Sequence, residues 1–250
     1  MNLADEKTRR SFLRVATGLG AGLVLNGCSG VGKPDEQKLA PSKNGDAEKG
    51  VEVTATEDLM REHGVLRRAL LVYSEAAARL RVNPSSVAPN ALHRTTKLFR
   101  AFGEEYHEKK LEEVYIFPAV KKAGGPAAVH PDILVAQHHR GHEITDYVLA
   151  VTQGAKLGAI SADELARALD SLARMYRAHA AREDTIVFPA WKQTLTAQQL
   201  DEMSEKFEDI EHEQFGEEGF EDAVRQIADI EAALGLADLA QFTAPPPPGR

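Results

Sequence analysis

Two short stretches of this chain place an imidazole and a carboxylate about one helical turn apart. In the later one, His179 precedes Glu183 by four residues, and the run continues Asp184-Thr185-Ile186-Val187-Phe188-Pro189-Ala190. In the earlier one, His107 precedes Glu112-Glu113-Val114-Tyr115-Ile116-Phe117-Pro118-Ala119. Residues four apart on a helix share a face, so His179 and Glu183 can address one atom. The proline after each stretch marks a point where a helix must kink or end. Imidazole and carboxylate on two helices, with no thiolate in reach, are a donor set for a metal ion held between helices. With Cys28 as the single cysteine, neither an internal disulfide nor a cysteine-rich metal site is possible. Histidine and carboxylate donors favour iron, manganese or zinc.

The elements that must position these groups read as helices throughout. Thr54-Ala55-Thr56-Glu57 is a capping box opening a helix over residues 55–82, and His63 lies on or beside its apolar stripe. A second helix runs from about 89 to 120, past Phe99, Phe102, Tyr106 and Leu111, until Gly124-Gly125-Pro126 breaks the pattern. Pro131 opens a third, to about 152, that holds His138, His139 and His142. Ser161-Ala162-Asp163-Glu164 caps a fourth, which carries His179 and Glu183 to about Trp191. Long helices joined by short loops predict an all-α, up-down-up-down four-helix bundle over residues 53–195. Two further helices, to about 215 and over 219–234, form a C-terminal extension before a proline-rich tail.

Each bundle helix therefore offers at least one histidine: His63 on the first, His107 with Glu112 on the second, His138 and His142 on the third, His179 with Glu183 on the fourth. Five imidazoles and two carboxylates suffice for two metals bridged by both carboxylates. With an oxo or hydroxo bridge, three histidines complete one octahedral ion, and two leave the other five-coordinate. That open position is where a small ligand such as dioxygen would enter. On this reading His93, His130 and His212 lie outside the site, Asp58 and Glu62 are candidates to orient His63, and Tyr106 and Tyr176 are core residues able to donate a hydrogen bond.

This pattern resembles the hemerythrin family, in particular its HHE cation-binding domains, over about residues 55–195. The resemblance implies two iron ions in an Fe–O–Fe type centre, with zinc or manganese as lesser alternatives. It implies that His138, His142 and His179 hold one iron, that His63 and His107 hold the other, and that Glu112 and Glu183 bridge. It also implies binding of dioxygen or another small diatomic or peroxide ligand, the alternative being an enzyme or scavenger acting on peroxide, oxygen or nitric oxide. One departure stands out. Aligned on Phe-Pro, Glu108 rather than His107 matches His179, and His107 to Glu112 is a five-residue step that needs a π-bulge. Glu108 or Glu113 in place of Glu112, and His139 in place of His138, stay open.

Composition narrows the partners. A formal net charge of −8 with no basic block beyond the N-terminus argues against nucleic acid. A zinc hydrolase would leave His63 and His107 without a role, and a helical interaction module would leave the whole histidine set incidental. The N-terminus reads as an address: Arg9-Arg10 before a weakly apolar run resembles a twin-arginine export signal, and Leu25-Asn26-Gly27-Cys28 resembles a lipoprotein box. Residues 29–52 read as a flexible linker. The expected location is outside the cytoplasmic membrane, with a possible lipid anchor at Cys28.

Overall fold

Each bundle helix begins where its sequence supplies a cap or a first-turn proline. Thr54 accepts from the Glu57 N–H while the Glu57 side chain returns to the Thr54 N–H, opening α1 (Ala55–Val82). Pro89 sits at the start of α2 (Pro89–Leu98), which passes without a break into a π-helical segment (Phe99–Ile116) and then α3 (Phe117–Ala123). Gly124 and Gly125, both at positive φ, turn the chain. Pro131 starts α4 (Pro131–Val151). The fourth rod is α5 (Ala162–Arg182), a shorter π segment (Glu183–Val187) and α6 (Phe188–Gln193). A second capping box, Thr196 with Gln199, opens α7 (Ala197–Phe215), and α8 (Gly219–Ala233) follows.

The structure, a computed structural model, describes residues 53–154, 157 and 162–248. The export signal, Cys28 and the linker lie outside the described residues. Among those described there are six continuous helices and no strand, giving an all-α helical bundle. No described helix is long and apolar enough to cross a membrane.

Both π segments end immediately before a Phe-Pro pair. The proline ring would clash with the carbonyl four residues back in a regular α-helix, and a widened turn relieves the clash. The closing bonds agree: Phe117 N–H donates to the Glu112 carbonyl and Phe188 N–H to the Glu183 carbonyl, each five residues back. The earlier π segment is long enough to carry His107 and Glu112 together.

The two C-terminal helices are part of the same core. The described residues from Thr54 onward form one compact unit. Trp191, at the end of the fourth rod, stacks on Phe207 of α7 with centroids 5.7 Å apart and planes 8° apart. Ala55 N–H donates to the Ser204 hydroxyl at 2.9 Å. On α8, Glu231 receives Arg68, while the Leu234 carbonyl just beyond it receives Arg79 at 2.8 Å. Ile227, Ile230 and Phe207 are buried, so α7 and α8 cover apolar surface that a four-helix bundle alone would expose.

Where α4 meets α5, Gly141 lies directly against Tyr176, and a Cβ there would collide with the phenol oxygen. Gly141→Ala is therefore expected to cost about 1–3 kcal/mol, the range for overpacking a well-filled core. A chemical-denaturation midpoint unchanged from the parent chain would refute that close approach.

Candidate metal centre

Four imidazoles and two carboxylates from all four rods converge at mid-bundle. His63 comes from α1, His107 and Glu112 from the long π segment, His138 from α4, and His179 and Glu183 from the junction of α5 with the short π segment. They group as Glu112, His138, His179 and Glu183 on one side and His63, His107 and Glu112 on the other. Both carboxylates are completely buried.

Each carboxylate faces two different histidines through its two oxygens. Glu112 Oε1 lies 3.4 Å from His107 Nε2, and Oε2 lies 3.4 Å from His138 Nε2. Glu183 Oε1 lies 2.9 Å from His179 Nε2, and Oε2 lies 3.5 Å from His63 Nε2. Each carboxylate thus spans the two histidine pairs, His63 with His107 and His138 with His179. His107 reaches its place only because the π geometry brings residues five apart onto one face. Glu113 and His139 are thereby placed: Glu113 Oε1 takes the outer nitrogen of His138, and the His139 side chain is exposed.

The outer nitrogens are all committed. His63 Nδ1 donates to Asp184 at 2.7 Å, His107 Nδ1 to Glu62 at 2.6 Å, His138 Nδ1 to Glu113 at 2.8 Å and His179 Nδ1 to the Gln137 carbonyl oxygen at 2.9 Å. An ionised carboxylate can only accept, so Nδ1 carries a ring proton and Nε2 is the nitrogen left facing inward. Such partners fix the tautomer and orientation of a metal-binding histidine. The inward nitrogens then crowd each other: His63 and His107 Nε2 are 3.1 Å apart, and His138 and His179 Nε2 are 3.2 Å apart. Ring nitrogens that close need a proton or a cation between them.

The four oxygens of Glu112 and Glu183 supply a second test of fit. All are buried and none makes a hydrogen bond of good geometry within the protein. Buried anionic oxygens without donors are costly, and a pair of divalent cations satisfies all four at once. In the cation-free chain protons do part of this work. Burial disfavours charge on His107 and His138, but Glu112 beside His107, and Glu108 with Glu112 beside His138, hold both imidazoles well above the ordinary histidine range.

His142 is the one residue read from the sequence as a ligand that the structure does not bring to the others. It is about one-third exposed; its Nδ1 bonds Glu104 Oε2 at 2.8 Å, and Arg100 lies 3.2 Å from its Nε2. The physical reason is the seam between α4 and α5. One turn beyond His138 is about 6 Å along the axis, and there Tyr176 fills the space against Gly141. Buried Glu104, also held by Arg100 and by the Thr145 hydroxyl, draws His142 to the other side.

Several supporting residues were invisible beforehand. Asp184 and Gln137 carry no spacing signal, because they act through the face their helices turn to the histidines. Glu62 orients His107 rather than His63. Tyr106 donates to Glu62 at 3.0 Å and lies 3.4 Å from Glu211 of α7, which in turn accepts from the Phe220 N–H at 2.6 Å. A hydrogen-bond chain therefore runs from an inward-facing histidine into the C-terminal helices. Asp184 is also tied to Arg67. Burial opposes its charge, but His63 and Arg67 together hold its carboxyl below the usual range. Asp184→Ala removes the acceptor of His63 Nδ1 and leaves the ring free to turn, and the cation affinity is expected to fall about 10–100-fold, the usual effect of removing such a partner. Calorimetric titration with Fe(II) under argon checks this, and an unchanged affinity would rule out the orienting role.

The family model for the hemerythrin HHE cation-binding domain matches residues 54–191. This chain belongs to that family. The matched segment holds all six convergent donors and both Phe-Pro turns. Relatives include an uncharacterized protein of Mycobacterium bovis and two of Mycobacterium tuberculosis, each 43% identical over 236 residues, spanning 94% of this chain and 90% of the relative. That span takes the likeness well past residue 191, into the helices that complete the hemerythrin bundle here. No solved structure matches the chain. A domain of this family binds cations, and the donor set above is where this one would hold them.

Proposed function

We propose that this chain is a non-haem di-iron protein that binds dioxygen or a similar small ligand inside its helix bundle. The observation that carries the reading is the pairing of two buried carboxylates with four inward Nε2 atoms, each carboxylate oxygen facing a different histidine. His63 and His107 would hold one ion, His138 and His179 the other, and Glu112 and Glu183 would join them. Imidazole with carboxylate suits iron and also accommodates manganese or zinc. A bound iron pair supplies reversible electron transfer towards small oxygen or nitrogen ligands.

The residues around it set what can approach. A small pocket reaches the donors between His63, Leu66, Arg67, Leu70, Tyr176 and Ala180, so apolar side chains and one guanidinium form its outer wall. Tyr176 lines this pocket, with Glu108 beside its hydroxyl. Burial, with Glu108 nearby, pushes its pKa well above the ordinary phenol value, so a phenol that keeps its proton stands at the edge of the pocket. That observation favours a second reading, in which the centre turns over peroxide, oxygen or nitric oxide as a scavenger. Export by the twin-arginine route, with a possible lipid anchor at Cys28, is part of the proposal and rests on the sequence alone.

The test is anaerobic loading of the full-length chain with Fe(II), then metal analysis and absorption spectra before air, in air and after deoxygenation. Two irons per chain with bands that appear in air and reverse would support reversible binding. Two irons that oxidise without return would support the scavenger. Stoichiometric zinc in preference to iron, or no cation at all, would sink the di-iron reading.

A further inference from the structure

We propose that Glu211 of α7 is a positioning residue of the metal centre, acting on His107 through Tyr106 and Glu62. Cation binding and docking of the α7–α8 hairpin then strengthen each other. The inference rests on the metal-pair reading above and reaches past residue 191, where the family match ends.

The link is continuous and buried. His107 Nδ1 donates to Glu62 Oε2 at 2.6 Å, and the Tyr106 hydroxyl donates to Glu62 Oε1 at 3.0 Å. The same hydroxyl lies 3.4 Å from Glu211 Oε2, and Glu211 Oε1 takes the Phe220 N–H at 2.6 Å. Glu62, Tyr106, His107 and Glu211 are each at most 2% exposed. Each carboxylate thus turns one oxygen to the phenol and the other to a neighbour.

A phenol has one O–H to donate, and here two carboxylates compete for it. What changes is where the O–H points. As Glu211 draws on it, Glu62 is left the stronger acceptor for the His107 N–H, because linked hydrogen bonds polarise one another. A stronger acceptor there makes Nε2 a more basic donor to a cation. The converse holds as well. A cation on Nε2 pulls harder on the Nδ1–H bond and draws charge from Glu62 toward His107. The phenol O–H then turns more fully to Glu211 and ties α7 to the bundle. Glu62 and Glu211 also present oxygens within 4.8 Å of one another, beside Asp58. Charge drawn away from Glu62 lessens the repulsion between them. Both effects have one sign, as reciprocal linkage between two sites requires.

The hairpin is shaped to hold Glu211 in this place. Its turn brings Gly219 so close that a Cβ there would lie 2.7 Å from Glu211 Oε1. Phe215 of α7 meets the Tyr106 ring edge-on, with centroids 5.3 Å apart. The Arg61 guanidinium of α1 covers the Phe220 ring, 4.6 Å from its centroid. The effect falls on one ion. His63, His138 and His179 take their outer partners from Asp184, Glu113 and Gln137, all on bundle rods. Of the four, the partner of His107 is the one that the hairpin reaches.

The test uses the full-length chain and Fe(II) under argon, with calorimetric titration for affinity and amide hydrogen exchange for docking. In the parent, loading is expected to slow exchange in residues 197–233 by at least about 5-fold, the lower end of couplings between linked sites. Glu211→Gln keeps an oxygen for the Phe220 N–H and removes the competing charge. It should bind one ion at least about 5-fold more weakly, leave the other unchanged, and reduce the slowing of the hairpin on loading. In a Tyr106→Phe chain the link is already cut, so adding Glu211→Gln should change neither affinity. Should Glu211→Gln fail to fold, as judged by circular dichroism of the cation-free protein, exchange in Tyr106→Phe decides: loading must slow the hairpin less than in the parent. Parental affinity for both ions, equal weakening of both, or a Glu211→Gln effect that persists beside Tyr106→Phe would overturn the coupling and leave the metal pair standing. A parent chain that takes up fewer than two cations would overturn the metal-pair reading as well.

Discussion

Glu112→Gln is expected to leave a chain that holds no more than one cation tightly. Glu112 contributes to both halves of the centre, with Oε1 toward His107 and Oε2 toward His138. An amide is neutral, and one end of it is an N–H donor, so whichever way the glutamine turns, one imidazole faces a group that cannot bind a cation. Because the altered residue would itself be a ligand, the loss at one ion should exceed the 10–100-fold typical of outer partners, that is, roughly two orders of magnitude or more. The control is Glu105→Gln on the same π segment, where the side chain is exposed and no loss is expected. Metal analysis after gel filtration, with a competitive titration for the weaker ion, reads the result. Two cations per chain at parental affinity would show that Glu112 does not bridge.

Cation loading itself should move the thermal midpoint by the largest amount of any treatment. The cation-free fold carries four buried carboxylate oxygens without hydrogen-bond donors and two pairs of crowded nitrogens. A ligand that binds only the folded state stabilises it by mass action, about 4 kcal/mol per site at a thousand times its dissociation constant. For a unit of this size each kcal/mol is worth roughly 2–4 °C, so filling even one site should raise the midpoint by about 10 °C. The increment has a predictable pH dependence. Burial works against charge on His107 and His138, yet their carboxylate neighbours raise both pKa values in the cation-free fold. The stability this proton binding confers is complete below about pH 6.5, the unfolded histidine value, and fades as the pH climbs through the raised values. A cation requires the bare Nε2, so it must displace those protons. The gain on loading therefore shrinks as the pH falls. Calorimetric scans with and without Fe(II) across the acid range test this; a gain that is flat with pH would mean that no proton is displaced.

The helices could be read from the chain because their signals are local. Capping boxes at Thr54 and Thr196, prolines at 89 and 131 and the glycines at 124 and 125 act within a turn of where they sit. Four imidazoles and two acids were legible for the same reason, each lying on the apolar stripe of its own helix. His142 was read alike, and its fate was decided by side chains far off in sequence, Tyr176 filling the seam and Glu104 drawing it away. Asp184 and Gln137 had no sequence signature because a polar residue beside an apolar stripe is ordinary. Only helix rotation turns it toward a histidine. The five-residue step from His107 to Glu112 did announce the π geometry, since no regular helix brings those two residues onto one face.

The stack of Trp191 on Phe207 bears on how this protein could be shortened, by evolution or by a protease. The segment that defines the family, residues 54–191, carries every donor atom of the centre. A chain ending there would keep every ligand and every outer partner of the histidines and lose the packing that braces them from behind. Trp191 would face water, Arg68 and Arg79 would lose their acceptors, and Glu62 would be cut off from the Tyr106–Glu211 link behind it. Carrying the binding motif and bracing the binding site are therefore separate matters in this chain, and α7 and α8 are what join them.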